Sequence, residues 1–201
     1  MRPLTQGRWK LTLVSVNPIP GIMLPRPTLD AFDRYLRSVG LRFEGVVIGG
    51  SALGLMGVIQ RATRDVDILV PELPQAIASA ARDFAKAQRQ TGVELVDDWI
   101  NNGPLALGDV LPAGWRDRVQ RIFEGAALVL STLDRPDLLK SKLFALCDRG
   151  TDLSDCMALA PDPDELADCL PWLEVQDGNE RWPAHVLATL ADLARRLGHG
   201  V

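Results

Sequence analysis

Two short stretches of this chain hold residue types that could do chemistry. Gly49-Gly50-Ser51 closes the apolar run Gly45-Val46-Val47-Ile48, and thirteen residues separate it from Asp65-Val66-Asp67-Ile68-Leu69-Val70. Side chains two apart on a strand share a face, so Asp65 and Asp67 project together while Val66 and Ile68 enter the core. Two carboxylates at one strand end repel, and the pair asks for a compensating cation. Oxygen-only ligands suit magnesium, which also bridges phosphates. A glycine turn that opens a helix offers backbone N–H groups and a positive dipole end to a phosphate. A metal pair with a phosphate cradle is what phosphoryl-type transfer requires. Taken singly, a glycine pair is often only a tight turn and alternating Asp only a solvated edge; their conjunction is the more specific signal.

The elements that must position these residues follow from periodicity and turn chemistry. Leu29, Phe32, Leu36 and Val39 recur at helical spacing from a Thr28 N-cap to Gly40. A buried strand over 45–48, a compact helix over 52–59 and a second strand over 65–70, stopped by Pro71, come next. An Ala-rich helix over 74–90 leads to a third strand over 93–96, a loop from Asp97 to Asp109, an irregular or helical 115–123 and a strand over 127–130. Pro136 then opens a helix through Asp148, and shorter helices are expected over 152–159, 163–170 and 182–197. Ahead of all this, 9–16 reads as a weak strand and Asn17–Pro27 as a Pro-rich linker. The expected architecture is α/β (α+β), a small mixed sheet with a helical C-terminal region packed on it. Its parts are an arm over 1–27, a core over 28–134 and the helical region over 135–201.

Composition sets outer limits. The 201 residues are 47% hydrophobic and 24% charged, which fits an ordinary globular domain and excludes a disordered tail or a disulfide-stapled miniprotein. A net charge of −4 argues against bulk electrostatic binding to nucleic acid or anionic membrane, so any nucleic-acid contact is local. Cys147, Cys156 and Cys169 form no CxxC pair, and His185 and His199 complete no zinc spacing; all five are assigned to packing or surface. A reducing, cytoplasmic setting is the default, with neither signal peptide nor membrane anchor expected. Trp99 reads as a packing anchor. The locally basic cluster of Trp115, Arg116, Arg118 and Arg121 either touches a nucleic-acid backbone or is diluted by Asp117 and Glu124.

Ile48-Gly49-Gly50-Ser51 and the Asp65–Ile68 stretch resemble the DNA polymerase β-type nucleotidyltransferase superfamily. Arg61-Ala62-Thr63-Arg64, read as Arg-x-Thr-x-Asp-x-Asp, is similar to its AbiEii-type branch, the nucleotidyltransferase toxins and their stand-alone relatives. A second stretch, Lys142-Leu143-Phe144-Ala145, Arg149, Asp152 and Asp155, resembles that branch's Lys-Leu-x-Ala, Arg, Asp-x-x-Asp pattern. The resemblance spans about 28–160. Superfamily members commonly add a third carboxylate from a neighbouring strand, for which Glu94 is the candidate, with Asp97 and Asp98 nearby.

The resemblance implies a magnesium- or manganese-dependent transfer of a nucleoside monophosphate from an NTP to an acceptor hydroxyl. Asp65 and Asp67, with Glu94, would hold metal, and Gly49, Gly50, Ser51, Arg61, Thr63 and Arg64 would bind the nucleotide. Lys142 and Asp155 would complete the catalytic set. The ammonium of Lys142 either snorkels to water from the edge of an apolar stripe or reaches a triphosphate or an acidic partner. Arg61 and Arg64 either balance the two aspartates or bind phosphate. Asp152 has a plain alternative as a helix N-terminal charge with Arg149 as its ion-pair partner, and Lys140 reads as solvated. The implied acceptor is RNA, often a tRNA 3′ end, or a protein, and in such systems a cognate antitoxin restrains the activity. Two rival readings share the same residues: a small-molecule nucleotidyltransferase of the aminoglycoside-modifying kind, and a non-catalytic nucleotide-binding or interaction module.

Overall fold

A computed structural model describes residues 23–200 of the chain, so the strand expected over 9–16 and most of the arm lie outside the described residues. Five strands form one mixed sheet: β1 (Phe43–Ile48), β2 (Val66–Val70), β3 (Ile100–Asn101), β4 (Gln120–Glu124) and β5 (Leu128–Thr132), in the order β3-β2-β1-β5-β4. β1 runs antiparallel to β2 and parallel to β5, β2 is parallel to β3, and β4 and β5 form an antiparallel hairpin. Among the described residues seven α-helices accompany it: α1 (Pro25–Ser38), α2 (Gly49–Leu55), α3 (Gln75–Gln90), α4 (Arg135–Arg149), α5 (Leu153–Leu159), α6 (Pro163–Glu174) and α7 (Trp182–Arg196). This is the α+β architecture expected.

The period of two along β2 divides the molecule into two cores. Val66 and Ile68 face a cluster with Leu29, Phe32 and Leu36 of α1 and Ile77, Ala81 and Phe84 of α3. Leu69 faces the other way, into a cluster with Leu139 and Leu143 of α4, Leu159 of α5, Leu173 of α6 and Leu190 and Leu193 of α7. Asp67, on the Leu69 face, therefore points toward the C-terminal helices, and α7 closes that second core. Trp99 is fully buried as the packing anchor expected, edge-on to Phe32 with ring centroids 5.0 Å apart, its indole N–H donating to the Ala81 carbonyl at 3.1 Å.

Four elements depart from the sequence reading, each for a physical reason. α1 starts at Pro25 rather than after Thr28, because proline is tolerated at the first helical position, where its missing N–H is not needed. α2 starts at Gly49 rather than at Ala52, with Gly49 itself making the strand-to-helix turn in the left-handed region. Residues 93–96 form no strand: Leu95 is buried and Val93 exposed, but the backbone has no strand partner, and the third strand is Ile100–Asn101. Gln120–Glu124, read as irregular or helical, is an edge strand whose register shift between Arg121 and Phe123 breaks the alternation that would reveal it. The nearby basic cluster is neutralised locally: Trp115 is buried, Arg116 lies over its ring, Arg118 pairs with Asp137 and Arg121 with Glu124.

Asp33 of α1 ties the two strand systems to the helix layer, accepting hydrogen bonds from the backbone N–H of Ala127 at 2.7 Å and of Leu128 at 2.8 Å. Burial works against its charge, yet those backbone donors outweigh it and hold the carboxyl below the usual range. Asp33→Ala leaves two donors at the β4–β5 turn without their acceptor and is expected to cost about 1–3 kcal/mol in urea unfolding. Because the folded-state pKa is the lower one, the wild-type advantage is present above pH ~4 and is lost as pH falls through the folded value. The gap between wild type and variant should therefore narrow in acid.

Candidate active site

One cleft of about 840 Å³ brings the two sequence stretches together across the Leu69 face of the sheet. Gly49 and Gly50 from the start of α2, Arg61, Thr63 and Arg64 from the loop before β2, Asp65 and Asp67, and Lys142, Arg149, Asp152 and Asp155 all line it. Ser51 and Glu94 do not. Ser51 is buried with its hydroxyl turned to the Ile48 carbonyl at 3.4 Å, because the third residue of α2 faces the core rather than the cleft. Glu94 is exposed on the irregular segment that replaces the expected strand, so no sheet register aims it at Asp65 or Asp67. Asp97, Asp98 and Asp109 are likewise outside the cleft lining, and Asp97 pairs with Arg89.

The contact that fixes the cleft floor is between backbone and carboxylate. Gly49 has φ +78°, a conformation that side chains rarely adopt, and a Cβ there would stand 2.6 Å from Asp67 Oδ2. Only glycine lets the strand-to-helix turn lie directly against that carboxylate. In the β2–β3 register Asp67 is opposite Asn101, whose amide faces the carboxylate, so the neighbouring strand supplies an uncharged side chain where a third acid was sought. Asn102 secures the same corner: its amide donates to the carbonyls of Ile68 and Pro71, and its Oδ1 accepts from the Leu73 N–H. Sequence reasoning missed both asparagines; two amides after an apolar pair and before Gly103 were the available signal.

The electrostatics of the two halves differ. Burial first, and the adjacent Asp65 charge second, push the Asp67 carboxyl up to about 6 against the pull of Lys142 and Asn101. Asp67 is thus short of positive charge, and with Asp65 just before β2 the donor set fits a divalent cation: two hard oxygen ligands, with room in the cleft for further ligands. No group of three or more His, Cys, Asp or Glu side chains able to hold a metal occurs among the described residues. Across the cleft the charges are matched. Lys142, only 4% exposed, donates to Asp155 at 2.8 Å and to Asp152 at 3.1 Å, and Asp155 also accepts from Arg61 at 2.6 Å. Burial alone would raise the Asp155 pKa, but the Lys142 and Arg61 hydrogen bonds outweigh it and hold the carboxyl low. The partner of Asp152 is therefore Lys142, not Arg149, and Lys140 lies mostly buried near Asp137 instead of solvated.

Thr63 holds the one buried side-chain polar atom without a hydrogen-bond partner among the described residues. It is 5% exposed, its backbone pairs with Met23 in both directions, and its Oγ1 has no hydrogen-bond partner. Its methyl is the group nearest to Gly50. Such a hydroxyl costs the free protein stability and is kept where a ligand can use it. The three cysteines are buried, with thiols pushed up by burial to about 11, 12 and 11 for Cys147, Cys156 and Cys169, which leaves them without a nucleophilic role. His185 and His199 bond the carbonyls of Cys147 and Pro161 far from the β2 carboxylates.

Two substitutions separate positioning from packing. Gly49→Ala places a methyl against Asp67 and forces a positive φ on alanine, and is expected to cost ~1–2 kcal/mol of stability and to displace the carboxylate, read as weakened manganese binding. Thr63→Val removes the orphan hydroxyl at constant shape. It is expected to leave the unfolding midpoint unchanged or higher while weakening nucleotide binding, a combination that a purely structural threonine would not give.

Neither a curated protein nor a solved structure matches the chain. A family model described as "Nucleotidyltransferase of unknown function (DUF6036)" matches residues 28–160, about two thirds of the sequence. The matched span holds the glycine turn, both β2 aspartates, and Lys142 with its partner Asp155. The chain belongs to this DUF6036 nucleotidyltransferase family.

Proposed function

We propose that this protein moves a nucleoside monophosphate from an NTP to an acceptor hydroxyl, with the cleft between β2 and α4–α5 as its active site. The observation that carries the reading is the pairing of a glycine turn with φ +78° against an under-neutralised carboxylate pair, opposite a buried lysine. Asp65 and Asp67 would hold a magnesium or manganese ion, which when bound would supply Lewis-acid stabilisation of phosphate charge and lower the acceptor hydroxyl's pKa. The Gly49–Gly50 turn brings the backbone close to the triphosphate without a side chain in the way. Arg61 and Arg64, with Lys142 behind them, place positive charge where pyrophosphate departs. The acceptor oxygen forms a bond to the α-phosphorus as the α–β bridging bond breaks; pyrophosphate leaves and the hydroxyl proton passes to water. The protein contributes position and electrostatics, the main terms in such transfers.

The likeness of the Arg61–Asp67 and Lys142–Asp155 stretches to the AbiEii branch supports RNA, such as a tRNA 3′ end, or protein as acceptor, and restraint by a cognate antitoxin. The absence of Asp97, Asp98 and Asp109 from the cleft lining removes the acidic wall that a cationic small-molecule acceptor would want. No helix among the described residues is long and apolar enough to cross a membrane.

The test is transfer of label from each α-labelled NTP, with magnesium or manganese, into total RNA and into extract protein. The wild type should label one acceptor class, and the Asp65→Ala, Asp67→Ala double variant should lose at least ~10³-fold of the rate while remaining folded. Metal-dependent nucleotide binding without any transfer would favour the non-catalytic module.

A further inference from the structure

The charged residues account for only part of the cleft. Pro104 and Leu107 of the segment after β3, Val110 beside them, and Phe144 of α4 give it an apolar wall, and Gln176 adds one side-chain amide. This wall is braced from α6. The Trp172 indole N–H donates to the Val110 carbonyl at 3.0 Å, and its ring packs edge-on to Phe144 with centroids 6.1 Å apart. Gln176 in turn donates from Nε2 to the Trp172 carbonyl at 2.7 Å. That bond fixes the amide and uses one of its two N–H groups. Oε1 accepts no hydrogen bond among the described residues, so one acceptor and one donor remain at the cleft. Val110, 46% exposed, and Val175, 75% exposed and next to Gln176, are among the few large apolar side chains left uncovered.

Apolar surface held rigid and left open, with one fixed amide at its margin, has the chemistry of a nucleobase subsite: the wall takes a ring face and the amide reads a hydrogen-bonding edge. Its continuity with the phosphate-binding end identifies the occupant. Resting on the nucleotidyltransferase reading, we infer that the Leu107–Val110–Phe144 wall seats the base of the bound NTP and that Gln176 sets which base is preferred. Gln176, in the segment between α6 and α7, lies beyond the span that the family model matches, whereas the wall residues lie within it.

Equilibrium binding of ATP, CTP, GTP and UTP to the full chain with manganese tests this, with inorganic tripolyphosphate as the ligand that has phosphates and no base. At least one NTP should bind ~10-fold or more tightly than tripolyphosphate, the worth of a stacked, hydrogen-bonded base. Val110→Ser, at an exposed position, should bring that NTP down toward the tripolyphosphate level. Gln176→Ala should compress the spread among the four NTPs by ~3–10-fold. Neither change should alter tripolyphosphate affinity. Wild type that binds tripolyphosphate as well as any NTP would overturn the base subsite alone. So would variants that keep the full NTP preference, including the case in which they raise only the KM of the acceptor. Wild type that binds neither NTP nor tripolyphosphate would overturn both this inference and the reading beneath it.

Discussion

A buried lysine cannot stay charged without partners, and the helical half of the cleft is built around that constraint. Moving an ammonium into a protein interior costs several kcal/mol unless carboxylates with good geometry take its place in water. Lys142 meets two, Asp155 from α5 and Asp152 from the turn before it. Asp155, more deeply buried still, needs a second cation, which Arg61 brings from the loop leading into β2. Each group solves the other's desolvation problem, so the loop before β2 is held to the α4–α5 corner, with Arg61 and Asp155 94 residues apart in sequence. Removing any member leaves an uncompensated charge, which is why such networks fix geometry more than they add stability.

The same network explains why the strand carboxylates are different. Lys142 is engaged by Asp152 and Asp155, and its pull on Asp67 is too small to offset burial and Asp65. One side of the cleft is electrically closed and the other is left with excess negative charge. A site that had satisfied all its charges internally would have little use for a divalent cation and its phosphates. Here the deficit sits on Asp67, the carboxylate that Gly49 lies against, so the place where positive charge is wanted is also where a phosphate can come near the backbone.

Much of this was legible in the sequence because it is carried by local rules. The Val66/Ile68 against Asp67/Leu69 alternation assigns the face of β2 that bears chemistry, and the helical spacing of Leu139, Leu143 and Leu146 around Lys142 places α4. What stayed hidden depends on pairing between distant segments. The alternation over 93–96 suggested a strand and gave Glu94 a role, but a strand exists only where a partner edge receives it, and β2 receives Ile100–Asn101. Ser51 follows two glycines that line the cleft, yet the helical turn rotates it inward. Lys142 was read as snorkelling to water or reaching a ligand or an acidic partner; only the chain's return through Asp152 and Asp155 decides for the acidic partners in the free protein.

Asn101 sits at the edge of the cleft, on the strand beside β2. Its register opposite Asp67 gives it the position from which a third carboxylate would act, and its amide has the opposite effect on the site. A third acid there would push Asp67 further from its ionised form and deepen the charge deficit. An uncharged amide beside the carboxylate, its Nδ2 donating to the Asp98 carbonyl at 3.3 Å, favours the ionised state of Asp67 without adding negative charge. On the proposed reading, the remaining ligands of a cation at Asp65 and Asp67 would come from the nucleotide or from water. Metal and nucleotide binding would then be coupled, and the free protein is spared the cost of holding a third buried carboxylate beside Asp65 and Asp67.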